Sequence, residues 1–496
     1  DLIGLYDYLA LLYALKESPE ETKKFLEKAI DGSVLYIQEQ AQHLPIDQRL
    51  NFSKAISGSY LASFAGIGFL PNGEELALKA RLNRQGLLEE IEKYQSRLPL
   101  LDKSQRDKVA ELNALNIQFS DRSIGIDERN KIRAKKQRIE EELFLQLPEL
   151  KPQIVEVGQI ANSLPKNSLL IEFQKFRPFQ KQVEDGQFYG EPKYLALVLR
   201  PNRQIISIDL GFAKSIEEKI NKASVASEKQ LPNALSLWGE VGELLIQPLA
   251  IATQGADTWF VSPDAEMNRI PFAALRNPRG DGLLGEGINL RLITTGRSLL
   301  KLIKDSGNSD KESLVFANPS FSLEKKLSTK NQNRDIIVDQ KRSSEVGQRN
   351  WIALPGTANE GKQISQLINA KLYTNEEATS LSIQQSISPK TVHIATHAAF
   401  EANQNQENKT STFSLDSSNP LQIKFEGENP LLRSYIVLAG ANEPESNPKD
   451  DGYLTAQEIT ELAWEGTEMV VISGCESGQG DIQSGEGVYG LKRAIA

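Results

Sequence analysis

The stretch that decides the fold is residues 469–496, which read MVVISGCESGQGDIQSGEGVYGLKRAIA. It opens with four apolar residues, three of them β-branched, and a glycine follows two residues later. A short apolar run bounded by glycine predicts a buried strand of a parallel sheet. Cys475, the only cysteine of the chain, then lies at the carboxyl end of that strand. Open α/β sheets place their chemistry at that end. Cys475 is therefore a candidate nucleophile; the alternative is a small buried hydrophobic side chain.

A second apolar run ends at a histidine. Residues 391–400 read TVHIATHAAF and hold two of the three histidines of the chain. Alternation puts His393 and His397 on one face, with His393 inside the strand and His397 at its end. We therefore expect His393 to be packed and hydrogen-bonded, and His397 to be accessible above the sheet. A cysteine nucleophile needs an imidazole to take its proton, and His397 on a second strand end would supply it.

Several motifs give the chain a family resemblance. They are HIATHAAF (393–400), DGYLTAQEI (451–459) and VVISGCESGQG with SGEGVYGLKRA (470–494), and weaker ones are LPGTANE (354–360), FANPSF (316–321) and PDAEMNRIPFAAL (263–275). In this order they resemble the CHAT domain, a caspase-like peptidase domain often fused to tetratricopeptide repeats. The resemblance implies a cysteine peptidase with His397 as acid/base and Cys475 as nucleophile. It also implies a regulatory protein partner, because such peptidases are usually kept latent.

One position departs from the family pattern. The family usually has glycine after the catalytic histidine, whereas this chain has Ala398. The backbone N–H survives the change, so we predict an oxyanion hole formed by the N–H groups of Ala398 and Cys475. A glycine would also permit a close backbone approach, which the Cβ of Ala398 opposes.

Two carboxylates are candidates for substrate binding. Asp451 opens the DGYLTAQEI motif, and Glu476 follows the nucleophile. A carboxylate in a groove suits an arginine side chain, so we predict a preference for a basic residue before the scissile bond. For Asp451 the alternative is a capped turn at Gly452, as Asp-Gly pairs often form. Glu476 has a similar alternative, in which it only fixes the glycine-rich loop.

Composition narrows the classes of function. The chain carries 57 Lys and Arg against 66 Asp and Glu, a formal net charge of −9. This balance argues against general nucleic-acid binding, which needs a basic face. One cysteine excludes an internal disulfide and fits a reducing compartment, so a cytoplasmic location is predicted. No apolar run is long enough to span a bilayer, and one cysteine and three dispersed histidines form no metal cluster. We predict neither a metal nor a cofactor.

The 496 residues predict two or three domains. Residues 1–150 show helical periodicity and are expected to form an all-α domain of helical hairpins. Within it, Ser18 and Pro19 predict a helix start, residues 78–98 predict one long helix, and residues 103–119 and 127–145 predict two charged helices. No clean tetratricopeptide repeat is present. Asp1 is not a natural start, which leaves room for a lost targeting segment. Ala496 falls inside an apparent helix, so the second domain is expected to be cut short at its C-terminus.

Residues 151–496 alternate between apolar runs and helical segments. This pattern predicts an α/β, caspase-like domain with a parallel-rich sheet flanked by helices. Two polar segments, 323–350 and 401–428, are predicted to be long loops; the first is a disordered insertion or a processing loop, and the second is a candidate wall of the substrate groove. Gly485, Gly487 and Gly490 match G-x-G-x-x-G, but the motif lies too far beyond the strand for a nucleotide site. We expect a loop and a helix start there.

Three functions remain open from the sequence. The first is a regulated cysteine endopeptidase that cleaves a protein substrate. The second is a catalytically silent caspase-like scaffold that binds protein partners through its helical region; intact His397 and Cys475 argue against it. The third is an acyl-transfer enzyme acting on a small molecule, which requires an enclosed pocket rather than a groove.

Overall fold

The computed structural model describes residues 2–44, 46–97, 103–120, parts of 131–142, 152–179, 189–280, 282–302, 311–322, 350–401, 430–447, 450–464, 466–474, 480–483 and 487–495. Several predictions fall outside these residues. They concern Cys475, Glu476, most of the charged segment 127–145, and all but the end residues of the two polar segments 323–350 and 401–428.

The N-terminal region is helical, as the periodicity predicted. Its helices are α1 (Leu2–Leu15), α2 (Pro19–Gln40), α3 (Ile46–Ala55), α4 (Gly58–Ala65), α5 (Gly73–Arg84), α6 (Leu87–Arg97) and α7 (Lys103–Ser120). The start of α2 is as expected, with Ser18 as the residue before the helix and Pro19 in its first turn. A short helix, α8 (Val157–Ser163), precedes the first strand.

The prediction of one long helix over residues 78–98 is wrong. The chain breaks between α5 and α6, where Gln85 is extended and Gly86 adopts a φ of +69°. A left-handed glycine ends a helix at little steric cost. Leu82 and Leu88 are fully buried on either side of this break. The apolar stripe therefore continues across two helices, which is why periodicity alone did not reveal the turn.

The first sheet is mixed and has five strands. These are β1 (Ser168–Phe176), β2 (Lys193–Leu199), β3 (Ile205–Phe212), β4 (Thr258–Ser262) and β5 (Asn289–Leu292), in the order β3-β2-β1-β4-β5. β1, β4 and β5 run parallel, whereas β2 and β3 are antiparallel to their neighbours. Helices α9 (Ala213–Glu228) and α10 (Ala234–Leu245) follow β3, and the short helices α11 (Leu284–Gly287) and α12 (Leu299–Leu302) flank β5.

The second sheet is parallel throughout and carries the candidate site. Its strands are β6 (Leu314–Pro319), β7 (Lys371–Asn375), β8 (Thr391–Ala395) and β12 (Met469–Ser473), in the order β12-β8-β6-β7. Helices α13 (Pro355–Leu367) and α14 (Ser380–Gln384) lie between these strands in sequence. The helices alternate with parallel strands, as the α/β, caspase-like prediction required.

A small antiparallel sheet stands beside the carboxyl end of β8. It contains β9 (Ala398–Phe400), β10 (Ser434–Val437) and β11 (Tyr453–Thr455), with β10 in the middle, and α15 (Ala456–Thr460) follows. Downstream, β13 (Gly480–Gln483) pairs with β14 (Gly487–Gly490) ahead of α16 (Leu491–Ile495). The glycine-rich motif at 485–490 was expected to be a loop and a helix start. Its last four residues form a strand instead, and the helix begins at Leu491.

One apolar core joins the helical region to both large sheets. A single cluster of buried side chains contains Ile30 of α2, Leu78 of α5, Leu170 of β1, Phe316 of β6 and Ile394 of β8. A second cluster lies between β1, β2 and β4 and the helices α9 and α10. The helical region thus covers one face of the first sheet, and α9 and α10 cover the other.

A polar network crosses the same junction. The guanidinium of Arg81 in α5 is fully buried and donates to Glu172 at 2.6 Å and to Gln174 at 2.7 Å, both on β1. It also reaches the hydroxyl of Ser262 at 3.0 Å. The carboxylate of Glu172 accepts a further bond from the N–H of Gly296 at 2.6 Å.

Among the described residues, no helix is both long and apolar enough to cross a membrane.

Candidate active site

The site lies where β8 and β12 end. The two strands are parallel neighbours in a register that pairs Ala395 with Ser473, the last residue of each. The N–H of Thr396 then donates to the carbonyl of Ser473 at 3.2 Å. His397 follows β8 by two residues, and in the sequence Cys475 follows β12 by the same number. Cys475 itself lies outside the described residues, so its side-chain position stays a prediction.

His397 is held in one tautomer by a backbone carbonyl. Its Nε2 lies 2.9 Å from the carbonyl oxygen of Ile352. Since a carbonyl oxygen can only accept, Nε2 carries the proton, and in the neutral ring Nδ1 keeps the lone pair. The imidazole is therefore prepared to act as a base through Nδ1.

Two aromatic rings form walls against His397. The ring centroid of Trp351 lies 5.0 Å from that of His397, and the centroid of Phe321 lies 5.3 Å from it. The indole N–H of Trp351 donates to the hydroxyl of Tyr453 at 3.0 Å. Sequence reasoning missed both walls. The only available signal was that FANPSF, which ends at Phe321, and residue 351 border the same polar segment.

The expectation for His393 is confirmed. Its side chain is buried on β8, and its Nε2 lies 3.0 Å from the carboxylate of Glu360 on α13. The shared face predicted for His393 and His397 is not observed, because β8 ends at Ala395 and the chain bends at Thr396. His393 contacts a helix, whereas His397 contacts the aromatic walls.

Ala398 presents its backbone N–H on the side away from the small sheet. The N–H of Val437 donates to the carbonyl of His397 at 2.9 Å, so these two residues form a hydrogen-bonded pair. In an antiparallel ladder the next pair, Ala398 with Ile436, is not hydrogen-bonded and turns its N–H groups outward. This N–H therefore points away from β10, and its role as an oxyanion donor stays a prediction.

Gly474 brings the two strand ends into close contact. A Cβ added at this position would stand 2.7 Å from the carbonyl oxygen of Thr396 and 3.2 Å from the nitrogen of Ala398. Both distances are shorter than ordinary van der Waals contacts. The glycine that precedes Cys475 therefore lies directly against the backbone on either side of His397.

Asp451 caps a turn, which was one of its two interpretations. Its Oδ1 accepts the N–H of Tyr453 at 3.0 Å, across Gly452 with a φ of +80°. A Cβ on Gly452 would collide with the backbone nitrogen of Ala441, so the two turns, this one and the one that follows β10, pack tightly against each other. The substrate-binding role of Asp451 stays a prediction, as does that of Glu476, which lies outside the described residues.

A comparison with protein families shows to which family the chain belongs. The model of the CHAT domain matches residues 237–496, just over half of the chain. The chain belongs to the CHAT-domain family. The match begins within α10. Strand β1 lies before the matched residues, but it pairs with β4, which lies within them. None of the curated proteins matches the chain.

The CHAT-domain fold is caspase-like, and this supports a peptidase class of function. Within the described parts of the chain, no group of three or more His, Cys, Asp or Glu side chains is arranged to hold a metal ion. The described site offers an imidazole of fixed tautomer and an outward backbone N–H, beside the strand that leads to the cysteine. These groups suit acyl transfer.

Proposed function

We propose that this protein is a cysteine endopeptidase in which His397 is the base and Cys475 the nucleophile. The observation that carries the proposal is the pairing of Ala395 with Ser473, the last residues of adjacent parallel strands. Two residues beyond them in sequence stand the histidine and the only cysteine. Gly474, packed against Thr396 and Ala398, supports the same juxtaposition from the side of the cysteine.

The proposed reaction runs through a thioester. Nδ1 of His397 takes the proton of the Cys475 thiol, and the sulfur attacks the carbonyl carbon of the scissile peptide bond. The N–H groups of Ala398 and Cys475 stabilise the oxyanion. The imidazolium then protonates the leaving amine. Water, deprotonated by His397, attacks the thioester and releases the new carboxylic acid and the free thiol.

Substrate and regulation belong to the same proposal. The substrate is a protein, and the candidates for reading a basic residue before the scissile bond are Asp451 and Glu476. A regulatory protein partner releases the latent site, and the single cysteine suits action in the reducing cytoplasm. A silent scaffold remains the second candidate, since the helical region offers a large surface for partners.

The test uses a library of peptides made from a digested proteome. Because the proposed regulatory partner is unidentified, the chain is incubated with the library both alone and with a cell lysate that supplies candidate partners, and new termini are identified by mass spectrometry. We expect cuts that disappear in Cys475→Ala and in His397→Ala, and a double variant that loses no more than either single one. Equal labelling of wild type and His397→Ala by a thiol-reactive peptide probe, with no cuts from either, would instead favour the silent scaffold.

A further inference from the structure

The side chain of Asn442 connects the two segments that flank His397. Its Oδ1 accepts the backbone N–H of Trp351 at 2.8 Å, and its Nδ2 donates to the carbonyl of Trp351 at 3.0 Å. The same Nδ2 donates to the hydroxyl of Ser322 at 3.0 Å, and the backbone N–H of Asn442 donates to the carbonyl of Phe321 at 3.0 Å. One residue thus holds both aromatic walls of the histidine.

The carboxamide is suited to this task because it donates and accepts at once. Its two ends match the N–H and the C=O of one backbone residue, as a strand partner would. A carboxylate of the same shape can only accept, and an aliphatic side chain can do neither. The ring of Trp351 is held independently through Tyr453, whose hydroxyl donates to the carbonyl of Ala441, the residue before Asn442.

The contact reaches the imidazole through one peptide unit. Trp351 and Ile352 are consecutive, so holding the peptide unit between them anchors Ile352 at its nitrogen and leaves only its own φ and ψ to set the direction of its carbonyl. That carbonyl accepts the Nε2 proton of His397. We propose that Asn442 is a positioning residue for the base: it orients the Ile352 carbonyl and the two aromatic walls, and so fixes the tautomer of His397.

The consequence for catalysis rests on the proposed peptidase function, whereas the consequence for the imidazole does not. If Asn442 positions the base, its loss lowers the rate of the chemical step more than it weakens substrate binding. A displacement of about 1 Å at a catalytic group can cost on the order of 100-fold in rate. The tautomer of His397 can be measured without any substrate.

The experiment compares Asn442→Asp with wild type by nitrogen NMR of the imidazoles. The chain has only three histidines, so His397 can be assigned by its disappearance in His397→Ala. We expect the wild-type ring to show one tautomer, protonated at Nε2, and the variant ring to show a mixture. Asn289→Asp serves as the control, because it adds the same charge to an exposed asparagine on β5.

Two further measurements separate positioning from a merely structural role. Iodoacetamide alkylates Cys475, the only cysteine, and its rate should fall in Asn442→Asp if His397 activates the thiol. With a peptide taken from the cleavage screen, kcat should fall about 100-fold while KM changes less than about twofold. A variant that is only less stable would keep the wild-type tautomer.

The outcomes are distinguishable. An unchanged His397 spectrum in folded Asn442→Asp overturns the inference, whatever the activity. A mixed tautomer without peptide cleavage by the wild type keeps the inference and overturns the peptidase proposal. If Asn442→Asp does not fold, Asn442→Ser takes its place, because a serine adds no charge and is too short to bridge the N–H and the C=O of Trp351. An unchanged His397 spectrum in folded Asn442→Ser then overturns the inference.

Discussion

Gly474 is a residue at which one added methyl group would disturb the geometry of the site. A Cβ there would stand 2.7 Å from a backbone oxygen and 3.1 Å from the Cβ of Ala398. Neither neighbour is the end of a flexible side chain, so the strand ends themselves must separate. We expect Gly474→Ala to lower kcat/KM about 100-fold, because a displacement of about 1 Å between reacting groups can lower the rate by that factor. The measurement is peptide cleavage together with iodoacetamide alkylation of Cys475.

Gly356 provides the matched control for this prediction. A Cβ at Gly356, in the first turn of α13, meets nothing within 4 Å. Gly356→Ala should therefore keep wild-type activity and gain slightly in stability. If Gly474→Ala cleaves and alkylates as fast as Gly356→Ala, the close contact at Gly474 is irrelevant to the site.

Some residues of the site could be predicted from the sequence, and others could not. His397 and Cys475 were singled out because each follows a short apolar run, which is a local signal. The burial of His393 was predicted from its place inside such a run. Phe321, Trp351 and Asn442 carry no comparable signal. They meet His397 only because three separate segments converge at the end of one sheet, and no local periodicity encodes that convergence.

At the scale of elements, α6 connects the helical region to α16, the helix that follows the β13–β14 hairpin. Arg493 of α16 donates to one carboxylate oxygen of Glu92 at 3.1 Å and 3.3 Å, and both side chains are buried. On the same helices, desolvation by neighbouring groups lowers the pKa of Lys492 although the residue is exposed at the surface, and the charge of Glu89 opposes that shift. The acidic side of α6 thus faces the basic end of α16.

We predict that breaking this pair destabilises the fold strongly. Arg493→Met leaves the Glu92 carboxylate buried without its partner, which typically costs about 3–5 kcal/mol. The double variant Glu92→Leu, Arg493→Met should recover most of that loss, because no charge remains buried. The measurement is a double-mutant cycle by urea denaturation.

An exposed pair serves as the reference for this cycle. Lys219 and Glu240 lie 2.5 Å apart with side chains 36% and 51% exposed. Lys219→Met should therefore cost less than about 1 kcal/mol. Equal losses for Lys219→Met and Arg493→Met would mean that the buried pair contributes no more than a surface contact.

The sequence predicted strands well where apolar runs are continuous, although β12 is a partly exposed edge strand of its sheet and not the buried strand that residues 469–472 predicted. Strands β8 and β12 lie within one or two residues of the apolar runs that predicted them, because continuous apolar runs are strong local signals. One error occurred where a backbone turn interrupts an apolar stripe, and the other where a glycine-rich stretch forms a strand. Gly86 separates α5 from α6, and a glycine-rich stretch forms β14 because it pairs with β13. Pairing between strands is not encoded in the periodicity of either one.

At the scale of the whole molecule, the fold depends on a buried charge at the junction of its two parts. Arg81 lies on α5, and its main partner Glu172 lies on β1, 91 residues away. Both side chains are fully buried. The sequence separation explains why composition and periodicity did not reveal the pair. Around it, the larger apolar cluster contains residues of the helices and of both large sheets.

This arrangement predicts that the helical region and the first sheet unfold together. Separating them would expose the apolar face that they share and leave Arg81 or Glu172 without its partner. In Arg81→Met the Glu172 carboxylate stays buried and keeps only the donors from Thr295 and Gly296. We expect a loss of about 3–5 kcal/mol in that variant. The sheet keeps its second core against α9 and α10, whereas isolated helices are marginal in water. In Arg81→Met the helices should therefore open before the sheet.

Hydrogen exchange followed by mass spectrometry can test this order of events. In the wild type, peptides from α5 and from β1 should exchange with the same free energy of opening, as expected for one cooperative unit. In Arg81→Met the α5 peptide should open at lower free energy than the β1 peptide. Arg269→Met, which removes an exposed guanidinium paired with Glu266 at 3.4 Å, should leave both peptides unchanged. If α5 already opens independently of β1 in the wild type, the shared core does not couple the two parts. If Arg81→Met lowers both by the same amount, the two parts remain one unit even without the buried arginine, because the apolar cluster alone is enough to join them.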